Sequence, residues 1–285
     1  MLYFYLDMVF QRSVFLFFLV FSISLLRGQD SLNHFYKTSG TLAIIVKTAD
    51  GIVLVADSRL AYRSTSGNDV LAYQDGMPKL FPLKKFVFAV CGDFSDGTTM
   101  VGKMIKDFEK SKPEYRTPEE CLYKFGVFTK NRYPVYFGRL KHTVLLCAGY
   151  GPEQMIAMLL NGKTYTIDQD IWASNIYGKI DSLHLLNLPR NADSRQATET
   201  VINTLKDYIG IFHKEDEAGG LFSVLKISLD NSWHWVRNDF SENDLDTECE
   251  AARDIYDKKV RIYYTSEKNK RLLMQYVREI RKKCH

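Results

Sequence analysis

Thr41 and Asp57 stand at the two ends of what reads as one β-hairpin. Thr41 follows Gly40 and opens the apolar run Leu42-Ala43-Ile44-Ile45-Val46, and Asp57 closes a second run, Ile52-Val53-Leu54-Val55-Ala56. Between the runs lies Lys47-Thr48-Ala49-Asp50-Gly51, and Asp-Gly is a tight-turn pair. An antiparallel hairpin sets its two ends side by side, so a hydroxyl and a carboxylate meet at one sheet edge. A threonine hydroxyl is a weak nucleophile and needs an adjacent base. A cut between Gly40 and Thr41 would supply one, because a free α-amine titrates near about pH 8. Taken singly, Thr41 reads as a strand-start threonine and Asp57 as a turn carboxylate. Together, beside Gly40, they point to nucleophilic hydrolysis.

The elements that must position these residues follow in order. Lys79–Leu83 and Phe86–Cys91 read as a second hairpin, after a polar loop from Ala61 to Met77. Met100, Val101, Met104, Ile105 and Phe108 fall at helical offsets, with Asp96 or Thr98 as cap. Thr117-Pro118-Glu119-Glu120 reads as a second helix start with proline in its first turn. Thr143–Ala148, Gln154–Leu160 and Lys163–Ile167 read as strands. Asp193-Ser194 caps a third helix with Ala197, Val201, Ile202, Leu205 and Ile209 on one face. Gly219-Gly220 precedes a strand, Leu221–Ile227, and Trp233–Val236 follows it. Runs of strands alternating with runs of helices argue for antiparallel sheets with helices on their outer faces rather than a parallel βαβ fold.

The 285 residues carry a net charge of +4, much of it in the segment Lys268 to Lys283. No interleaved aromatic and basic platform points to nucleic acid. Val14 to Leu26 is an apolar-to-small run of 13 residues behind Arg12, short of the ~20 that span a bilayer. It reads as the core of a secretory signal peptide over residues 1–28, cut near Gly28, and the protein is expected in the secretory pathway, secreted or periplasmic. A membrane partner follows only if this segment is kept as an anchor. Cys91, Cys121, Cys147, Cys249 and Cys284 show no metal-ligand spacing, and no metal or organic cofactor is expected. Cys91 and Cys147 read as buried thiols; Cys249 and Cys284 are placed to pair in an oxidising compartment. Residues 241–285 read as a charged extension that ends in a helix, Glu267–Lys283. Its Tyr263, Tyr264, Leu272, Leu273, Met274 and Val277 suit either covering an apolar surface between copies or a cap on a monomer.

Gly40-Thr41, Val55-Ala56-Asp57-Ser58-Arg59, Pro78-Lys79-Leu80 and Ala89-Val90-Cys91-Gly92-Asp93 resemble proteasome β-type subunits, which are N-terminal-nucleophile hydrolases. The aspartate falls 16 residues after the threonine, as in that family, and the likeness runs from Gly40 to about Val236. It implies an α+β, four-layer αββα sandwich of two antiparallel sheets flanked by helices over residues 41–240. It implies a propeptide, residues 29–40, removed by self-cleavage between Gly40 and Thr41. Lys79 would then sit beside the Thr41 hydroxyl, Asp57 would orient Lys79, and the Gly92 N–H would donate to the oxyanion on the substrate carbonyl. The implied partners are a peptide or amide substrate and further subunits in a homo- or hetero-oligomeric ring.

The chain also departs from that pattern. Gly92-Asp93 replaces a Gly-Gly pair. The supporting acid falls at Glu215, with Asp216 beside it, and the supporting serine is replaced by Ala218. Of a Gly-Ser-Gly stretch near Ala173–Gly178 only Ser174 is a candidate. The 22-residue step from Asp57 to Lys79 requires a loop insertion around Ser64–Asp75. Three readings follow: a self-processing threonine peptidase, a catalytically inactive subunit that keeps the sheets, and an amidohydrolase of the same superfamily acting on a small amide.

Overall fold

In a computed structural model of the chain the described residues are 36–40, 42–64, 69–140, 143–150, 153–175, 178–179, 188–189, 191–211, 218–238 and 246–284. For 36–40, 174–175, 178–179 and 211 the description covers the backbone alone. The leader, most of the expected propeptide, Thr41, Glu215 and Asp216 lie outside the described residues.

The first hairpin joins β2 (Ala43–Thr48) to β3 (Gly51–Asp57), with Ala43 opposite Ala56 and Thr48 opposite Gly51. A Cβ at Gly51 would collide with the Ile227 carbonyl, so the turn needs glycine there. Asp50 in this turn accepts from Thr48 and Lys226 and from the backbone N–H and hydroxyl of Ser194. Burial opposes its ionisation, but these donors outweigh it and hold the carboxyl well below the usual range. β2 and β3 continue through β11 (Ile171–Asn175) and β12 (Gly178–Lys179) on one side. On the other side they continue through β13 (Phe222–Ser228) and β14 (Trp233–Arg237). This sheet runs β12-β11-β2-β3-β13-β14.

The other sheet contains β1 (Tyr36–Gly40), β4 (Leu60–Ser64), β5 (Val70–Gln74), β6 (Leu80–Pro82) and β7 (Phe86–Asp93). Its remaining strands are β8 (Thr143–Tyr150), β9 (Gln154–Leu160), β10 (Lys163–Ile167) and β15 (Ile262–Tyr264). Its order is β10-β9-β8-β7-β1-β4-β5-β15, with β6 paired to β7. All the pairings in both sheets are antiparallel.

The layers follow from which face each side chain takes. Ala43, Ile45, Leu54, Val87, Ala89, Leu146 and Leu225 fill the space between the sheets. Ile44, Val46, Val53 and Val55 turn the other way, onto Ala197, Val201 and Leu205 of α4 (Ser194–Ile211). Helices α1 (Val101–Lys110) and α2 (Pro118–Arg132) cover the opposite outer face, where Phe125 meets both Phe88 and Phe108 edge-on. Each Val, Leu, Ile or Phe side chain so buried contributes roughly 1.5–3 kcal/mol. Thr117 caps α2 by accepting from Glu120 N, with Pro118 in the first turn. The expected caps of α1 act elsewhere. Met100 stands at its N-cap without a side-chain bond, while Asp96 accepts from the Thr98 and Thr99 amides of the preceding turn.

Three segments differ from expectation. Ala61–Met77 is not a loop: β4 and β5 lie within it, on either side of residues 65–68. Their buried polar groups satisfy one another, Tyr62 O–H donating to Gln74 Oε1 at 2.8 Å, so no apolar run marks the strands. Tyr36–Gly40 is a strand between β4 and β7. The tail adds α5 (Glu248–Tyr256) and β15 before its helix α6 (Glu267–Lys283). β15 pairs with β5, Tyr263 stacks on Tyr73 with centroids 5.0 Å apart, and Leu273, Val277 and Ile280 of α6 are buried.

Cys249 and Cys284 are joined as a disulfide that ties the start of α5 to the end of α6, with Cα atoms 5.9 Å apart. Their separation is 35 residues, and the chain-entropy estimate for such a loop is about 3–4 kcal/mol. Cys249→Ser, Cys284→Ser and the reduced wild type should therefore all unfold at lower urea concentration, by the same amount. A midpoint that reduction leaves in place would mean that the bond constrains nothing in the unfolded chain.

Candidate active site

Asp57, the last residue of β3, is wholly buried. An isolated carboxylate there would be costly, so its oxygens must be satisfied. Oδ1 accepts from Lys79 Nζ at 2.7 Å and from the Leu42 N–H at 3.0 Å. Oδ2 accepts from the Gly219 N–H at 3.0 Å and the Arg59 N–H at 3.3 Å. The backbone adds a further tie, Asp57 N donating to Leu42 O at 3.2 Å. The hairpin ends are thus locked together.

Lys79 reaches this carboxylate from the segment before β6 and is also wholly buried. Its carbonyl accepts from Val90 N at 3.0 Å, which fixes it against β7. Burial pushes the Lys79 ammonium below its ordinary pKa, against the opposing pull of Asp57. Lys84 and Lys85 lie in the exposed turn between β6 and β7, away from this pair. Burial pushes the Cys91 thiol up to about 12, with Lys79 only partly offsetting it, so Cys91 stays a thiol and is no rival nucleophile.

Gly92 has φ +124°, a conformation that favours glycine. It lies opposite Gly40 in the β1–β7 register, with Ser39 opposite Asp93. The residue before Thr41 is therefore paired with the strand that carries the expected oxyanion donor. The residue after it, Leu42, is bonded to Asp57. Thr41 itself lies outside the described residues, as do Glu215 and Asp216. Ala218 is buried in the apolar cluster beside Phe222 and makes no side-chain hydrogen bond. The Ser174 backbone pairs with Ala43.

Sequence reasoning assigned no role to Ser58, Arg59, Asp75 or the Gly219 amide. Ser58 N donates to Gly219 O at 3.2 Å, and Ser58 Oγ accepts from Gly76 N at 3.2 Å and Leu221 N at 3.0 Å. Arg59 and Asp75 form a two-point ion pair, Nε–Oδ1 2.7 Å and Nη2–Oδ2 2.9 Å. Ser58-Arg59 in the family-like stretch and the glycine pair 219–220 were the available signals, and both glycines have positive φ.

Among solved structures, a Gly-1 mutant of Anbu from Hyphomicrobium sp. strain MC1 aligns with the chain at a TM-score of 0.50. The alignment has 11% identity and covers 86% of this chain and 96% of that one. Anbu from Yersinia bercovieri, described as an ancestral beta-subunit, aligns over 70% of this chain and 88% of its own, with 13% identity and a TM-score of 0.49. No protein-family model and no curated protein matches the chain. The fold is an α+β, proteasome-like sandwich of antiparallel sheets and helices.

Lys79→Met strands a buried carboxylate and should cost about 3–5 kcal/mol of stability. Asp57→Asn combined with Lys79→Met should cost clearly less than the sum of the two single changes. A double-mutant cycle by urea unfolding reads this directly, and strictly additive losses would show that the two groups do not support each other.

Proposed function

We propose that the chain is a self-processing threonine-type peptidase or amide hydrolase. One observation carries this reading: the chain segments on either side of Thr41 are held on the expected machinery. Gly40 lies opposite Gly92 on β7, and Leu42 is bonded to Asp57, whose carboxylate holds Lys79 at 2.7 Å.

In the uncut chain the Thr41 hydroxyl attacks the Gly40 carbonyl carbon. An Oγ–C bond forms, the Gly40–Thr41 C–N bond breaks, and the departing nitrogen takes a proton to become the free α-amine. Water then hydrolyses the ester. The new amine afterwards serves as base for Thr41 against other carbonyls. Lys79, kept cationic by Asp57, favours the alkoxide and holds the amine neutral. The Gly92 N–H donates to the oxyanion. Tyr36–Gly40 pairs antiparallel with both β4 and β7. Its departure opens a strand-shaped slot that an extended peptide fills by backbone pairing. That slot favours a peptide over a small amide as substrate. The proposal also includes export by the leader and assembly of copies into a ring, both resting on the sequence reading. Ala218, lacking a supporting hydroxyl, favours the second reading, an inactive subunit that keeps the sheets.

Intact mass and N-terminal sequencing of the purified protein separate these readings. Wild type should begin at Thr41, and Thr41→Ala should keep the residues before it. Peptide hydrolysis by the variant should fall at least about a thousandfold. A wild-type chain that still carries Gly40 and cleaves neither fluorogenic peptides nor small amides would sink the hydrolase and leave the inactive subunit.

A further inference from the structure

We propose that Asp75 is a positioning residue for the site: through Arg59 it seats the Gly219–Gly220 turn, and through its own segment it seats Lys79, so both sides of Asp57 depend on it. The proposal rests on the hydrolytic reading above.

Asp57 is held on its two oxygens by groups from distant parts of the chain, Gly219 N–H on Oδ2 and Lys79 on Oδ1. Neither group lies within a strand, although the Lys79 backbone is also tied to β7 by Val90 N. Gly219 and Gly220 precede β13, and Lys79 precedes β6. Both segments gather on Ser58-Arg59. Ser58 Oγ accepts from Leu221 N on one side and Gly76 N on the other, while Met77 N donates to Ser58 O at 3.0 Å.

The Arg59–Asp75 pair lies directly beneath the glycine turn. A Cβ on Gly219 would sit 3.3 Å from Arg59 Cζ and Nη1. A Cβ on Gly220 would sit 2.7 Å from Asp75 Cγ and 2.9 Å from Ser58 Oγ. The turn therefore rests on the ion pair at backbone distance, and only glycines allow that approach. Arg59 cannot swing away: its guanidinium stacks on Tyr73 at 3.8 Å from the ring centroid and is engaged at two points by Asp75. The chain from Asp75 then runs through Gly76, Met77 and Pro78 to Lys79 in four residues. Where the resembled family has a serine hydroxyl near this turn, the chain has Ala218, and the ion pair with Ser58 takes over the anchoring.

Asp75 also has an electrostatic reach that a spacer would lack. Among the described residues, the ionisable groups facing Lys79 are Asp57 from β3, Cys91 from β7 and Asp75, and both aspartates favour its cationic form. Those facing Arg59 are Asp75, Tyr73 from β5 and Asp57. Loss of the Asp75 charge makes the Lys79 ammonium easier to deprotonate, so an activity that needs it should fail at lower pH.

The test is Asp75→Asn in the full-length protein, with Asp75→Glu as the charge-keeping control. Backbone hydrogen exchange in the 218–222 peptide should quicken about tenfold while β8 is unchanged. Turnover of a fluorogenic peptide should fall about tenfold to a hundredfold with KM unmoved. The alkaline limb of its pH profile should shift downward, and Asp75→Glu should restore the limb. Exchange and pH profile both unchanged, or exchange quickened equally in β8, would overturn the proposal. If wild type neither processes itself nor turns over peptide, the hydrolytic reading fails. The exchange comparison then decides alone: localised quickening keeps Asp75 as the anchor of the turn, and its absence removes it.

Discussion

A carboxylate with no exposure to solvent organises this molecule. Asp57 has to be satisfied where water does not reach, and a lone buried charge would cost more than the fold's whole margin of stability. Its donors are an ammonium and three backbone amides, from Leu42, Arg59, Gly219 and Lys79. They come from the start of β2, from two residues beyond Asp57 itself, from the turn before β13 and from the approach to β6. Satisfying one side chain thus places the start of β2, the turn before β13 and the approach to β6 around the end of β3. The price is a rigid requirement on geometry: a shift of any one segment leaves a buried oxygen short of a donor.

The same constraint bears on the N-terminal strand. β1 is sandwiched between β4 and β7, pairing Tyr36 to Ser39 with β4 and Ser39 and Gly40 with β7. Without it the two strands would face each other across the width of one strand, with unpaired backbone groups on both. A sheet interior does not tolerate such a gap unless something fills it. The segment that the family resemblance implies is a propeptide is therefore a piece that completes the sheet.

How much of this could be read from sequence depends on where polar groups find partners. β2 and β3 are buried on both faces, so they show as unbroken apolar runs bounded by Asp50-Gly51, and the hairpin was plain. Helix α6 was plain too, because Leu273, Val277 and Ile280 recur at helical offsets. β4 and β5 were invisible because Tyr62 and Gln74 are buried against each other and read as loop residues. β1 was missed because backbone pairing needs no side-chain pattern. Lys79 was found only through family resemblance, since nothing local distinguishes it from Lys84 or Lys85. The Gly219 amide carries no side-chain signature, and the Arg59–Asp75 pair is separated by 16 residues that looked like a loop.

The end of β7 shows the other half of the arrangement. Gly92 is followed by Asp93 where the resembled family keeps a second glycine, and an acidic side chain there must be accommodated without distorting the strand. The backbone from Asp93 to Ser95 is held from outside the sandwich. The Tyr136 hydroxyl of α3 (Pro134–Arg139) donates to the Asp93 carbonyl at 3.3 Å, and Arg139 Nη1 donates to the Ser95 carbonyl at 3.0 Å. The Ser95 hydroxyl donates in turn to Glu248, at the start of α5. Burial raises the pKa of that carboxyl, against the pull of Ser95 and Arg139. Glu248 N donates to Thr98 O and Met100 N to Asp246 O, so the tail is stitched to the loop that leaves β7. Asp57 holds Leu42, and the tail holds the loop that leaves β7, the strand paired with Gly40. An extension that the sequence alone sets apart from the sandwich is, in the fold, bonded to the loop that follows β7.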